Sequence, residues 1–144
     1  MSISVKNAKS KPKIVIDTNV FISALAFGGK PREITKLIAD KSIILVISED
    51  CLSELRRKII SKFPEFINEL VRLERLMGRR AIFVKLGLPS VTASRDEDDN
   101  KFIETAVLGQ CDYIVSGDKD LLDVGKYRDI HIVNPSEFLK LINV

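Results

Sequence analysis

Asp17, Glu54, Asp99 and Asp118 are the side chains of this chain best placed to do chemistry. Asp17 closes an apolar run, Ile14-Val15-Ile16-Asp17-Thr18-Asn19. Asp118 follows another, Tyr113-Ile114-Val115-Ser116-Gly117-Asp118. Asp99 belongs to the cluster Arg95-Asp96-Glu97-Asp98-Asp99-Asn100, and Glu54 sits in a segment with helical spacing. A carboxylate at the end of a buried strand is costly unless it is paired, protonated or neutralised by a cation. Several converging at such ends suggest a metal site and hydrolytic chemistry.

The elements that must position these acids are short and regularly spaced. Apolar, β-branched runs at Ile14 to Ile16, Ile43 to Ile47, Ala81 to Val84, Tyr113 to Val115 and Ile130 to Val133 predict strands buried on both faces. The segments between them are long enough for crossover helices, which predicts a parallel sheet with helices on both sides. Val20 to Ala26 is stopped by Gly28-Gly29, and Pro31 suits the first position of a helix running to about Asp40. Ser48 is placed to cap a helix carrying Leu52, Leu55 and Ile59 on one face. Pro64 opens another, with Phe66, Leu70, Leu73 and Met77 at helical spacing. Helices are also expected at Lys101 to Leu108, around Leu121-Leu122, and from Pro135 to about Ile142.

Each acid also has a plainer explanation. Asp17 or Asn19 could cap the following helix. A dehalogenase-type phosphatase would want an Asp where Asn19 stands. Of the acidic cluster, Asp99 is chosen because it adjoins Phe102, Ile103 and Ala106, with Asp98 second and Asp96 read as a cap or a solvated residue. Asp118 and Asp120 could be turn and cap residues; Gly117 between strand and acid allows an unusual backbone angle or a close approach. Ser116 could hold a carboxylate or a metal-bound water. Asp50, Glu54 and Lys58 follow one another at four-residue steps, as in a solvated ion-pair ridge. Arg72, Arg75 and Arg79 share one helix face, which suits either RNA phosphates or pairing with Glu69 and Glu74.

The totals narrow the function class. The chain has 144 residues, one ordinary domain's worth, 45% of them hydrophobic and 30% charged. Residues 1–12 read as a basic, flexible arm and residues 13–144 as a single domain. Net charge is +3, a mild basic bias compatible with nucleic acid. Cys51 and Cys111 form no metal-binding spacing and fit a reducing cytoplasm; with the lone His131 they read as packed residues. No nucleophile–base pair and no phosphate-binding glycine loop is present. No apolar stretch approaches the roughly 20 residues of a membrane span.

Taken together, Ile14 to Asn19 with Val20-Phe21, Ser53-Glu54-Leu55, Asp96 to Asn100 with Phe102 and Ala106, and Tyr113 to Leu121 resemble the PIN domain. Within it the chain is similar to VapC toxins of prokaryotic toxin–antitoxin systems, over about Lys13 to Leu141. The resemblance implies a three-layer α/β/α sandwich around a parallel sheet of strand order 3-2-1-4-5. It also implies an RNA-cleaving enzyme dependent on Mg²⁺ or Mn²⁺, a separate antitoxin and a homodimer. Asp17, Glu54, Asp99 and Asp118 match the family's acids, and Asn19 and Ser116 its polar positions; Ser116 stands where Thr is common. The metal ligands expected are Asp17, Asp99 and Asp118, with Glu54 and Asp98 as further candidates and Asp120 close behind. Oxygen-only donors suit Mg²⁺ or Mn²⁺ better than zinc. The alternative is a non-catalytic RNA-binding or regulatory domain that keeps the pocket. A receiver-type phospho-acceptor domain fits poorly, since the third run leads to Lys85-Leu86-Gly87 and the fifth to Asn134-Pro135.

Overall fold

The computed structural model describes residues 11–87 and 93–143. Most of the basic arm expected over residues 1–12 lies outside the described residues. Ile14, Val15 and Ile16 are buried within the first strand, β1 (Lys13–Ile16), because both of its neighbours and both sheet faces are covered. Two helices follow, α1 (Thr18–Ala26) and α2 (Gly29–Ala39). The second begins two residues before Pro31, since Gly28 and Gly29 at positive φ (83° and 62°) turn the chain early. Then come β2 (Ile44–Ser48), α3 (Glu49–Lys62), a 3₁₀ turn at Pro64–Phe66, α4 (Ile67–Arg80) and β3 (Ile82–Val84). A second 3₁₀ turn at Glu97–Asp99 leads into α5 (Asn100–Leu108), β4 (Tyr113–Val115) and α6 (Lys119–Val124). The chain closes with β5 (Lys126–Tyr127), β6 (Ile130–Val133) and α7 (Pro135–Ile142).

The sheet runs β3-β2-β1-β4-β6-β5. Its first five members are parallel, so the five expected strands stand in the expected 3-2-1-4-5 order. The addition is β5, a two-residue strand antiparallel to β6, too short to show any alternation. From β1 the chain moves outward one way through β2 and β3, then returns to place β4 on the other side. The gap between the carboxyl ends of β1 and β4 is therefore the point where strand order reverses, the usual ligand crevice of such sheets.

Two expectations fail on burial. Ile82 and Phe83 of β3 are 41% and 51% exposed, because β3 is an edge strand covered on one side only. His131 is exposed rather than packed, since β6 lies next to the other edge and alternates inward and outward. Ser48 caps α3 as expected, its hydroxyl accepting from the Cys51 amide at 3.3 Å. Asn134 and Glu137 close a reciprocal cap at the start of α7.

Where α5 ends, Gly109 lies against β2. A Cβ there would stand 2.5 Å from Val46 Cγ1, and a buried, β-branched side chain has little room to yield. Gly109→Ala should cost about 1–3 kcal/mol by overpacking. The check is thermal unfolding: Tm should fall by roughly 2–10 °C, and Val46→Ala added to it should recover part of the loss.

Candidate metal centre

β1 and β4 deliver Asp17 and Asp118 to the crevice. The Asp17 amide extends the β1–β4 ladder by donating to the Val115 carbonyl at 2.9 Å. Its side chain is then buried at the strand end. Ser116, wholly buried, donates its hydroxyl to Asp17 Oδ2 at 2.7 Å and accepts the Asp118 amide at 2.9 Å. Asp118 is the N-cap of α6, one oxygen accepting from the Leu121 amide at 3.2 Å. Gly117 between them does not need its special freedom: its φ is not positive and a Cβ would stand in open space. Asn19 is exposed and lines, with Gly117, Asp118 and Lys119, a cleft of about 320 Å³ beside this edge.

Asp99 arrives from the 3₁₀ turn before α5. Asp96 caps that turn by accepting from the Asp98 amide at 3.0 Å, as its sequence position suggested. Asp98 is exposed and Asp99 is buried, so the turn separates the two candidates that adjacent positions left together. Ser94 and Asn100, both buried, brace the approach: the Ser94 amide donates to Asn100 Oδ1 at 2.8 Å. Asp99 makes no capping bond to α5, and its Oδ2 is buried without a donor.

Glu54 comes from α3 and sits in different company. It is 7% exposed, which overturns the solvated ridge. Lys58 does stand one turn on, at 3.9 Å, but the closer partner is Lys101 of α5, bonded to Glu54 Oε1. Nothing in the local pattern around Glu54 marks Lys101, which follows the acidic cluster 47 positions away.

The electrostatics divide the four acids. Burial pushes the Asp17 carboxyl above its ordinary range, Ser116 partly offsets this, and the charges of Asp118 and Glu54 add to it. Asp99 is pushed up to about 8, first by burial, then by the facing Asp118 carboxyl and by the charges of Asp118, Asp96 and Asp17. Glu54 goes the other way: burial raises it, but the Lys101 ammonium, Thr18 and Lys58 outweigh burial and hold it below the ordinary range. Asp17 and Asp99 thus feel neighbouring carboxylate charge, and among the described residues neither they nor Asp118 form an ion pair.

This donor set suits a hard divalent cation: all oxygen, partly buried, electrostatically repelled, with an orphaned Asp99 oxygen. Among the described residues the carboxylates whose ligand atoms all lie within 4.8 Å of one another are those of Asp96, Asp99 and Asp120; Asp17, Asp99 and Asp118 are not gathered that closely. The closer group shares Asp99 with the expected set. Asp120 there is already paired with Arg95 at 2.6 Å, so Asp17 and Asp118 are the better partners for Asp99. Arg72, Arg75 and Arg79 are exposed on α4. Glu74, one of their expected pairing partners, is taken by Arg56 at 2.7 Å.

An acid whose folded pKa exceeds its unfolded value binds more protons folded than unfolded. Its stability contribution is complete below about pH 4 and is lost as pH rises toward about 8. In EDTA, the Tm of Asp99→Asn should therefore rise relative to the unsubstituted protein across pH 5 to 8. By pH 8 the gain should reach at least roughly 2–4 °C, the equivalent of about 1 kcal/mol. A pH-independent difference would remove the strain assigned to Asp99.

Comparisons with known proteins agree with this fold. The chain is 35% identical, over 94% of both sequences, to the uncharacterized protein MJ1680 of Methanocaldococcus jannaschii. Its fold is similar to that of a chain in the crystal structure of VapBC2 from Rickettsia felis bound to a DNA fragment from their promoter. That likeness has a TM-score of 0.57 at 14% identity and covers 85% of this chain and 98% of the other. The PIN domain profile matches residues 13–120, from β1 into α6. The chain belongs to the PIN domain family, whose members are generally nucleases.

Proposed function

We propose that this protein is a metal-dependent endoribonuclease, the toxin of a toxin–antitoxin pair, acting in the cytoplasm. The observation that carries this is the convergence of Asp17, Asp99 and Asp118 on the β1–β4 crevice, with an Asp99 oxygen buried and without a donor. Asp17, Asp99 and Asp118 would hold Mg²⁺ or Mn²⁺, which when bound supplies positive charge to a phosphodiester and acidifies a water. Ser116 fixes the Asp17 oxygen it bonds and so orients the other. Asp118 is held by its own capping bond and faces Asp99. Glu54, paired with Lys101 and Lys58, stands beside these acids with its charge offset. Asp98 is exposed and drops out of the ligand set, while Asp120 supports the rim through Arg95.

The 320 Å³ cleft along Asn19, Ser23, Gly117 and Lys119 offers polar groups to a sugar or phosphate beside the acids. Arg72, Arg75 and Arg79 supply exposed positive charge for the rest of the strand. An antitoxin partner rests on the resemblance to VapC toxins and on the fold likeness to VapBC2. A homodimer is supported by exposed Ile60, Ile67 and Val71 on α3 and α4. Among the described residues no helix is long and apolar enough to cross a membrane.

RNA cleavage should disappear in EDTA and return with Mg²⁺ or Mn²⁺. Asp17→Asn should abolish it while circular dichroism stays unchanged; cleavage at the parent rate would sink the assignment, and RNA binding without turnover in either metal would favour the regulatory alternative. Replacing Arg72, Arg75 and Arg79 together by Ala should weaken RNA binding and flatten its dependence on log salt by about 2, at roughly 0.7 per lost phosphate contact. An unchanged slope would remove the stripe from the RNA path.

A further inference from the structure

Among the described residues, Glu54 is the one site acid with cations on both oxygens. The Lys101 ammonium bonds Oε1, and the Lys58 ammonium lies 3.9 Å from Oε2. Lys101 is well shielded, its side chain 20% exposed, with the ammonium 5.4 Å from the centre of the Phe102 ring. Its anchorage is firm. The Thr105 hydroxyl lies 2.7 Å from the Lys101 carbonyl and 2.9 Å from Ser48 Oγ, joining the first turn of α5 to the cap of α3. Glu54 and Lys101 are therefore held together by two helices braced against each other. Releasing Glu54 to a metal would leave a shielded ammonium without its counter-charge, which is strongly unfavourable.

We infer that Lys101 takes the place of a second divalent cation, so that the cleft binds one ion per chain. This rests on the metal centre proposed above. One divalent ion among Asp17, Asp99 and Asp118 and one tethered ammonium on Glu54 together offset most of the charge of four carboxylates. Lys101 is then a positioning residue: it holds the Glu54 carboxylate away from the ion and keeps a positive charge at the cleft wall.

A titration of the full chain with Mn²⁺ at pH 7.5, followed by calorimetry and by the electron paramagnetic resonance of free Mn²⁺, tests this. The unsubstituted protein should bind one Mn²⁺ per chain. Lys101→Met, close in volume and without charge, should bind two, and adding Glu54→Gln should return the count to one. A purely structural role for Lys101 would lower affinity or stability but would not add an ion. One ion in both proteins at equal affinity, two in the unsubstituted protein, or two retained by the double variant would each overturn the role of Lys101 while leaving the metal centre standing. No Mn²⁺ bound by either protein would overturn the metal centre and this inference with it. Should circular dichroism show Lys101→Met unfolded, Lys101→Gln carries the same expectation.

Discussion

Ser116 fastens the two central strands together at the end where their charge lies. Its hydroxyl donates to Asp17 at 2.7 Å and accepts the Asp118 amide at 2.9 Å, so one buried group sets the positions of both strand-end acids. The ladder bond from Asp17 to Val115 locks the same two strands in register just before this point. Everything else in the site is arranged around that fixed pair. Asp99 is brought up to it by a braced 3₁₀ turn, and Glu54 by a helix whose cap is tied to α5 through Thr105. Loss of the Ser116 hydroxyl would leave a buried carboxylate facing like charges with one fewer donor.

The acids then fall into two groups with opposite electrostatics. Glu54 is fully countered by lysines and sits below its ordinary pKa. Asp17 and Asp99 sit above theirs, because burial and neighbouring carboxylates act in the same direction. An uncompensated group of this kind weakens the fold when empty, and such strain is concentrated where a ligand relieves it. Arg95 relieves only the outer edge, through Asp120 and Asp123. The carboxylates at the centre of the crevice keep their mutual repulsion.

Much of the architecture was legible because its strands are short, β-branched and buried, a pattern that only a sheet covered on both faces requires. The same rule misled at β3, where an equally apolar run forms an exposed edge, and at β5, where two residues carry no pattern at all. Burial depends on what covers an element, and a run of apolar residues does not say how many sides are covered. Gly117 allowed an unusual backbone angle or a close approach, and the fold uses neither; Gly109, unmarked by any motif, has a packing reason, since its neighbour Val46 comes from a distant strand.

The chain's own order of residues determined which acids follow strands, which polar residues cap helices, and hence that carboxylates would collect at one sheet edge. These are local matters, set by alternation, turn chemistry and the position of a residue relative to its own element. Tertiary structure decided which acids are paired. Lys101 meets Glu54 across 47 positions and Ser116 meets Asp17 across 99, contacts that exist only once α3 is packed on α5 and β1 lies beside β4. Neighbours in sequence, Asp98 and Asp99, were parted into solvent and crevice by the rotation of a single 3₁₀ turn. Charge compensation acts through space, and the distances that govern it are fixed by strand order and helix packing.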